Sequence, residues 1–181
     1  MLGLNAVTGA GDEIKTGVKT SKGVVGYDLT RLLIGSEGTL AIITQATLKL
    51  TPKQPEQTTI CGFYNSIVAA SEAVARIMAQ PVTPAALEFM DANALNILRE
   101  SSDIEIPVDA HALLMIELDG DIESLEKQSK AIINQADGSG TITIETASSE
   151  SQRAMLWSLR KALSPALRKI APKKINEDVV V

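Results

Sequence analysis

The most informative part of the sequence is Gly26-Tyr27-Asp28-Leu29-Thr30-Arg31-Leu32-Leu33-Ile34-Gly35-Ser36-Glu37-Gly38-Thr39-Leu40. It predicts a short helix that ends at Gly35, a tight turn, and a strand that begins after Gly38. Glycine adopts positive φ and has no side chain, so a ligand can lie against the main-chain N–H groups beside Ser36 and Glu37. On spacing alone, however, a Gly-x-x-Gly turn between two elements is more often only a turn.

The first fifty residues are rich in glycine, with short β-prone runs at about 2–8, 12–16 and 39–50. The last run ends in an alternation of Thr or Lys with Leu, which is typical of a half-buried strand. Pro52 and Pro55 then interrupt the pattern, because proline cannot donate to a strand ladder. We therefore expect two domains, over residues 1–55 and 56–181.

From residue 58 onward, strand-like and helix-like segments alternate. Apolar residues recur at steps of three and four in the helical segments. The run from Leu113 to Leu118 is expected of a strand covered on both faces, and Asp178 to Val181 resembles a further strand. The order predicts an α+β fold, ferredoxin-like in outline, with helices on one face of a mostly antiparallel sheet.

The composition argues against several classes of protein. The formal net charge is −5, from Lys+Arg 17 and Asp+Glu 22, which disfavours nucleic-acid binding. A single cysteine (Cys61) excludes a disulfide framework, and a single histidine (His111) argues against a zinc site of His and Cys ligands. We interpret Cys61 as a buried small apolar residue and His111 as a strand-end residue, and we expect no metal site. No apolar run approaches the roughly 18 to 20 residues that span a bilayer.

The longer string around the glycine turn resembles FAD-linked oxidases of the vanillyl-alcohol oxidase and p-cresol methylhydroxylase type. It is most similar to the branch of D-lactate dehydrogenase, glycolate oxidase and D-2-hydroxyglutarate dehydrogenase. That branch carries G-x-D-L, then G-S-E-G-T-L-G-I-I-T, then L-x-P-x-P, all recognisable within residues 26–55. Three further segments look like the same branch: Leu87-Glu88-Phe89-Met90-Asp91, Leu156-Trp157-Ser158-Leu159-Arg160 and Asn176-Glu177-Asp178-Val179-Val180-Val181.

The resemblance implies that residues 1–55 are the C-terminal part of an FAD-binding domain and that 56–181 belong to a truncated cap domain. It implies that one continuous set of residues contacts the adenosine and pyrophosphate part of FAD, mostly through the main chain: Gly35, Ser36, Glu37, Gly38, Thr39, Leu40, Ala41, Ile42 and Ile43. The family usually has glycine where Ala41 stands, so we expect a slightly looser main-chain approach there.

The resemblance also implies that Arg160 binds the carboxylate of the substrate and that the hydroxyl group of Ser164 assists it. A guanidinium binds a carboxylate bidentately and keeps its charge, so the assignment is chemically reasonable. The alternatives are that Arg160 is a solvated helix residue and that Ser164, which precedes Pro165, breaks and restarts the helix.

By the same resemblance, the parent protein oxidises a D-2-hydroxy acid such as D-lactate, glycolate or D-2-hydroxyglutarate to the 2-oxo acid. Hydride passes to flavin N5 while a histidine outside this chain takes the hydroxyl proton, so no catalytic residue is expected within the chain. The electron acceptor is open between a quinone, a cytochrome and another flavoprotein.

We expect this chain to be an internal fragment. The family's pyrophosphate loop would precede it and the H-x-G-D-G-N-x-H motif would follow it. The isolated chain should therefore be inactive and hold no flavin. We also expect a homo-oligomer and a cytoplasmic location, at most peripheral to the inner face of the membrane. The alternative from another class is a non-enzymatic ferredoxin-like module that binds a ligand or a partner chain.

Overall fold

The computed structural model describes residues 1–18, 20, 23, 26–101, 105–171 and 173. They form two compact units, Met1–Lys53 and Gln54–Val181. The sequence-based expectation of a strand over residues 178–181 lies outside the described residues. No helix in the described part of the chain is long and apolar enough to cross a bilayer.

The part of the first unit that the structure describes is a three-stranded antiparallel sheet with one short helix. The strands are β1 (Gly3–Thr8), β2 (Glu13–Gly17) and β3 (Ala41–Thr47), in the order β2-β1-β3, and helix α1 is Leu29–Leu33. Its small core contains the buried residues Leu4, Ala6, Leu33 and Ala41. The Asp28 side chain caps α1 by accepting from the Arg31 N–H, as a short polar side chain does at a helix start.

In the second unit, the described residues form a four-stranded antiparallel sheet and four helices. Its elements are β4 (Glu56–Tyr64), α2 (Ile67–Ala79), β5 (Ala86–Asp91), α3 (Ala92–Ser101), β6 (Ala112–Gly120), α4 (Ile122–Ala136), β7 (Thr141–Thr146) and α5 (Glu150–Ile170). The strand order is β5-β6-β4-β7, with every pair antiparallel. The predicted α+β class and antiparallel sheet are confirmed.

Helices cover both faces of this sheet, so the expectation of helices on one face is corrected. Alternate residues of β4 and β6 face opposite sides. Ile60 and Leu114 pack with α2 and α4, whereas Cys61 and Leu113 pack with α3 and α5. The periodicity of apolar residues shows that each helix buries one row of side chains, but it does not show against which face of the sheet that row packs. The uninterrupted apolar run in β6 follows from this burial on both sides, and each fully buried leucine or isoleucine there contributes roughly 1.5 to 3 kcal/mol.

Local side-chain bonds fix where the helices begin and end. Ser66 caps α2, Asp121 caps α4 and Ser149 caps α5, each through a bond from an N–H three residues on. Helix α4 has no basic residue in its last turn. Instead, Arg76 of α2 donates through Nε to the Gln135 carbonyl at 2.8 Å and through Nη2 to the Asp137 carbonyl at 3.1 Å. A cation thus reaches the negative end of α4 from a neighbouring helix.

The other side of α4 is joined to the central strand. Tyr64 is fully buried and its hydroxyl donates to the Ala136 carbonyl at 2.9 Å. Ala136 is also fully buried, so water cannot replace this bond.

We predict that Tyr64→Phe lowers the free energy of unfolding of this unit by about 1 to 3 kcal/mol, because it leaves the Ala136 carbonyl buried without a donor. Urea unfolding followed by the emission of the single tryptophan, Trp157, measures this directly. The matched control is Tyr27→Phe. Tyr27 is 96% exposed, and its loss should change stability by less than about 0.5 kcal/mol. Equal effects of the two substitutions would contradict the assigned bond.

Burial of Cys61 predicts a second, pH-dependent effect. Desolvation, and then the nearby charge of Glu145, raise the pKa of the Cys61 thiol from 9.0 to about 12. The thiol ionises more readily in the unfolded chain, so the stability it contributes is complete below pH 9 and is lost as the pH rises from about 9 to about 12. Burial likewise raises the pKa of Tyr64 from 10.0 to about 12, so its contribution begins to fall near pH 10.

Urea unfolding between pH 7 and pH 11 should therefore show a decline that begins near pH 9. In Cys61→Ala the onset should move to about pH 10, where Tyr64 alone remains. An unchanged pH dependence in Cys61→Ala would show that the thiol is not buried in this way.

Candidate functional site

The turn between α1 and β3 has left-handed main chain at three of its four residues. The φ angles are 84° at Gly35, 51° at Glu37 and 80° at Gly38. The Ser36 N–H donates to the Leu33 carbonyl at 3.2 Å, and the Thr39 N–H donates to the Ser36 carbonyl at 2.9 Å. These bonds hold the turn in a conformation that residues other than glycine rarely adopt.

This turn leaves main-chain groups without bulky cover. A Cβ at Gly35 would meet nothing within 4 Å, so glycine is present there for its φ angle and open surface, not for lack of space. In the described part of the chain, the N–H groups of Glu37 and Gly38 have no main-chain acceptor. Two neighbouring free donors in left-handed main chain suit an electron-rich oxygen of a ligand, so the turn is compatible with the FAD contact that the family resemblance implies.

The strand that follows extends the same exposed main chain. β3 is an edge strand, because the sheet order is β2-β1-β3, and all of its residues after Ala41 are exposed. Ile42 is 61% exposed and Ile43 is 42% exposed. The sequence predicted a half-buried strand over 39–50. The observed strand is shorter and exposed, because β1 is the only strand among the described residues that pairs with it and the small core of this unit reaches only its first residue.

Ala41 differs from the residues that follow it in β3, because its side chain is buried in the core of the first unit with Leu4, Ala6 and Leu33. The methyl group that distinguishes it from the family's glycine therefore occupies core space. On this geometry, the extra carbon is accommodated within the unit itself.

On the substrate side, Arg160 lies on α5 and forms an ion pair with Glu88 of β5. The Arg160 Nε donates to Glu88 Oε1 at 3.1 Å, and the two side chains are 54% and 33% exposed. Arg160 is therefore anchored at one edge of its guanidinium and still accessible. Nothing in the local sequence pattern points to Glu88 as the partner of Arg160, because the two residues are 72 positions apart.

Ser164 lies one turn beyond Arg160, half-buried, on a helix that continues through Pro165. The suggestion that Ser164 breaks and restarts the helix is therefore wrong. Trp157, one turn before Arg160, donates from Nε1 to the Thr59 hydroxyl at 3.3 Å and fixes α5 against β4. The predicted FAD contacts and the predicted substrate contacts fall in different compact units, the first in Met1–Lys53 and the second in Gln54–Val181.

Comparison with known proteins gives the family. Residues 53–181 match the family described as FAD linked oxidases, C-terminal domain. The chain belongs to the FAD-linked oxidases. This membership favours the enzyme interpretation over a non-enzymatic module.

Relatives share much of the chain but are considerably longer. The glycolate oxidase subunit GlcD of Bacillus subtilis is 39% identical over 181 residues, which is 100% of this chain and 38% of that protein. GlcD of Escherichia coli K12 is 33% identical over 81% of this chain and 30% of its own length. The D-lactate dehydrogenase of Archaeoglobus fulgidus is 32% identical over 98% of this chain and 41% of its own length. The chain thus spans between 30% and 41% of the length of these three relatives.

Solved structures share the fold at low identity. An alkyldihydroxyacetonephosphate synthase has a TM-score of 0.66 at 15% identity, over 93% of this chain and 32% of its own. A substrate-bound p-cresol methylhydroxylase has a TM-score of 0.62 at 13% identity, over 92% of this chain and 39% of its own. These similarities agree with the resemblance to the vanillyl-alcohol oxidase and p-cresol methylhydroxylase type and show that this FAD-linked oxidase has the fold of that type.

The left-handed turn gives a prediction that does not depend on cofactor binding. Gly35→Ala should destabilise the first unit by about 1 to 2 kcal/mol, because an L-residue is strained at that φ angle. Gly9→Ala is the matched control, since a Cβ there also meets nothing within 4 Å but the φ angle is not positive. Limited proteolysis in increasing urea, with the cleavage sites in residues 1–53 located by mass spectrometry, compares the two. Equal resistance of the two variants would contradict the assigned conformation.

Proposed function

We propose that this chain is part of an FAD-dependent enzyme that oxidises a small D-2-hydroxy acid to the corresponding 2-oxo acid. The observation that carries the proposal is the exposed left-handed main chain of the turn at residues 35–38, which leads into the edge strand β3 in a chain of the FAD-linked oxidase family. The activities for which the relatives are named, glycolate oxidase and D-lactate dehydrogenase, indicate the substrate class.

In this proposal, residues 35–43 hold FAD through main-chain groups. The Glu37 and Gly38 N–H groups would donate to oxygen atoms of the cofactor, and the exposed surface of Leu40, Ile42 and Ile43 would supply apolar contact. The chemistry that a bound FAD would supply is oxidation by hydride acceptance. The protein contributes position and charge.

Arg160 would bind the substrate carboxylate. Its charge is permanent, its terminal nitrogens present paired N–H donors that match a carboxylate, and its side chain is more than half exposed. Holding the carboxylate fixes the carbon that carries the hydroxyl group and so orients the C–H bond for hydride loss. Ser164, one turn further along α5, is the second proposed contact.

The test is a panel of D-2-hydroxy acids and their L-enantiomers, assayed on the complete FAD-loaded protein with an artificial electron acceptor. We expect turnover of at least one small D-acid, with release of FAD on denaturation. A complete protein that purifies without flavin, or that oxidises none of the acids, would contradict the proposal.

Arg160→Ala should lower kcat/KM about 10- to 150-fold, which corresponds to the loss of a charge-assisted hydrogen bond worth about 1.5 to 3 kcal/mol. Ser164→Ala should lower it by a smaller factor, about 5-fold, because a hydroxyl group is a neutral partner. Arg153→Ala is the control. Arg153 lies on the same helix and is also ion-paired, with Glu150 at 2.8 Å, yet it has no proposed substrate contact. A loss in Arg153→Ala as large as that in Arg160→Ala would show that the effect comes from the helix and not from the substrate.

A further inference from the structure

We propose that Glu88 is a positioning residue that fixes the guanidinium of Arg160 for carboxylate binding. The inference rests on the proposed function, because it assigns a role to Glu88 only if Arg160 binds the substrate. Glu88 acts through Arg160, and no contact of Glu88 with substrate is involved.

The first argument is which edge of the guanidinium Glu88 uses. A guanidinium carries five N–H donors in a rigid plane, one on Nε and two on each terminal nitrogen. Glu88 accepts from Nε at 3.1 Å, and among the described residues neither terminal nitrogen has an acceptor. The end of the guanidinium, where the two terminal nitrogens lie side by side, is therefore available for bidentate binding of a second carboxylate.

The second argument is that the core holds the backbones of both Glu88 and Arg160. Glu88 lies within β5, opposite Met115 of the buried strand β6. The neighbouring inward residue, Met90, belongs to the same buried cluster as Leu156 and Leu159 of α5. The strand ladder and this cluster fix the backbone on both sides of the ion pair, whereas the long arginine side chain has many rotamers of its own. The pair thus removes part of the freedom that Arg160 would otherwise lose on binding substrate.

The opposing effect is electrostatic. The Glu88 carboxylate is negative and weakens the attraction of Arg160 for an anion. Solvent screens this effect, since the arginine side chain is 54% exposed and the glutamate side chain 33%. Orientation acts through a hydrogen bond whose geometry screening does not remove. We therefore expect positioning to outweigh repulsion, which fixes the sign of the experimental result.

The experiment compares Glu88→Ala and Glu88→Gln in the complete FAD-loaded protein. Glu88→Ala should raise the KM for the D-2-hydroxy acid about 5-fold, the effect of losing a partly exposed ion pair. Glu88→Gln keeps an oxygen acceptor at the same place and should restore KM most of the way to the wild-type value. The affinity for oxalate, a non-reacting dicarboxylate probe measured by calorimetry, should change in parallel with KM.

A double-mutant cycle separates positioning from a general loss of stability. Once Arg160→Ala has removed the guanidinium, adding Glu88→Ala should cause no further rise in KM. The matched control is Glu126→Ala, which removes a glutamate paired with Lys130 at 2.7 Å on α4 and should leave KM unchanged.

The outcomes are distinguishable. A wild-type protein that oxidises no hydroxy acid and binds no oxalate overturns the proposed function and this inference together. An active wild type in which Glu88→Ala leaves KM unchanged overturns the inference alone. A fall in KM in Glu88→Ala would show that Glu88 competes with the substrate for Arg160, which also contradicts positioning.

Discussion

Burial of β4 and β6 on both faces is the constraint on which the second unit depends. Each strand has a neighbour on either side and a pair of helices on each face, so every side chain between Ile60 and Tyr64 is packed except that of Gly62, which has none. Such strands cannot shift by one residue without exchanging their two faces, and the helices would then meet the wrong side chains. The register from Glu56–Gly120 to Tyr64–Ala112 is thereby fixed along its whole length.

This constraint has a direct consequence for the candidate substrate site. Because β6 is fixed, its other neighbour β5 is fixed, and α3 and α5 pack across the same face. The carboxylate of Glu88 and the guanidinium of Arg160 therefore meet at a position set by the core, not by a surface loop. A binding residue held on a helix and oriented from a strand keeps its geometry between turnovers, which is what orientation of a small substrate requires.

Much of this fold follows from local patterns. Residue order over a few positions is enough to indicate the alternation of strands and helices and the burial of β6 on both faces. The same holds for the helix caps at Asp91 and Asp121. Which helices cover which face of the sheet does not follow from local residue order, because it depends on long-range packing. In the same way, the glycine turn at 35–38 was evident from glycine spacing, whereas the pairing of Glu88 with Arg160 joins elements that are 72 residues apart and leaves no local signal.

The claim that most needs a direct test is that the main chain of residues 35–43 contacts FAD. Amide hydrogen exchange of the complete protein, compared with and without FAD, measures this residue by residue. The account predicts strong slowing of exchange at Glu37, Gly38 and along the exposed edge of β3, with no comparable change in α4. Exchange in residues 35–43 that is equally fast in both states would contradict it.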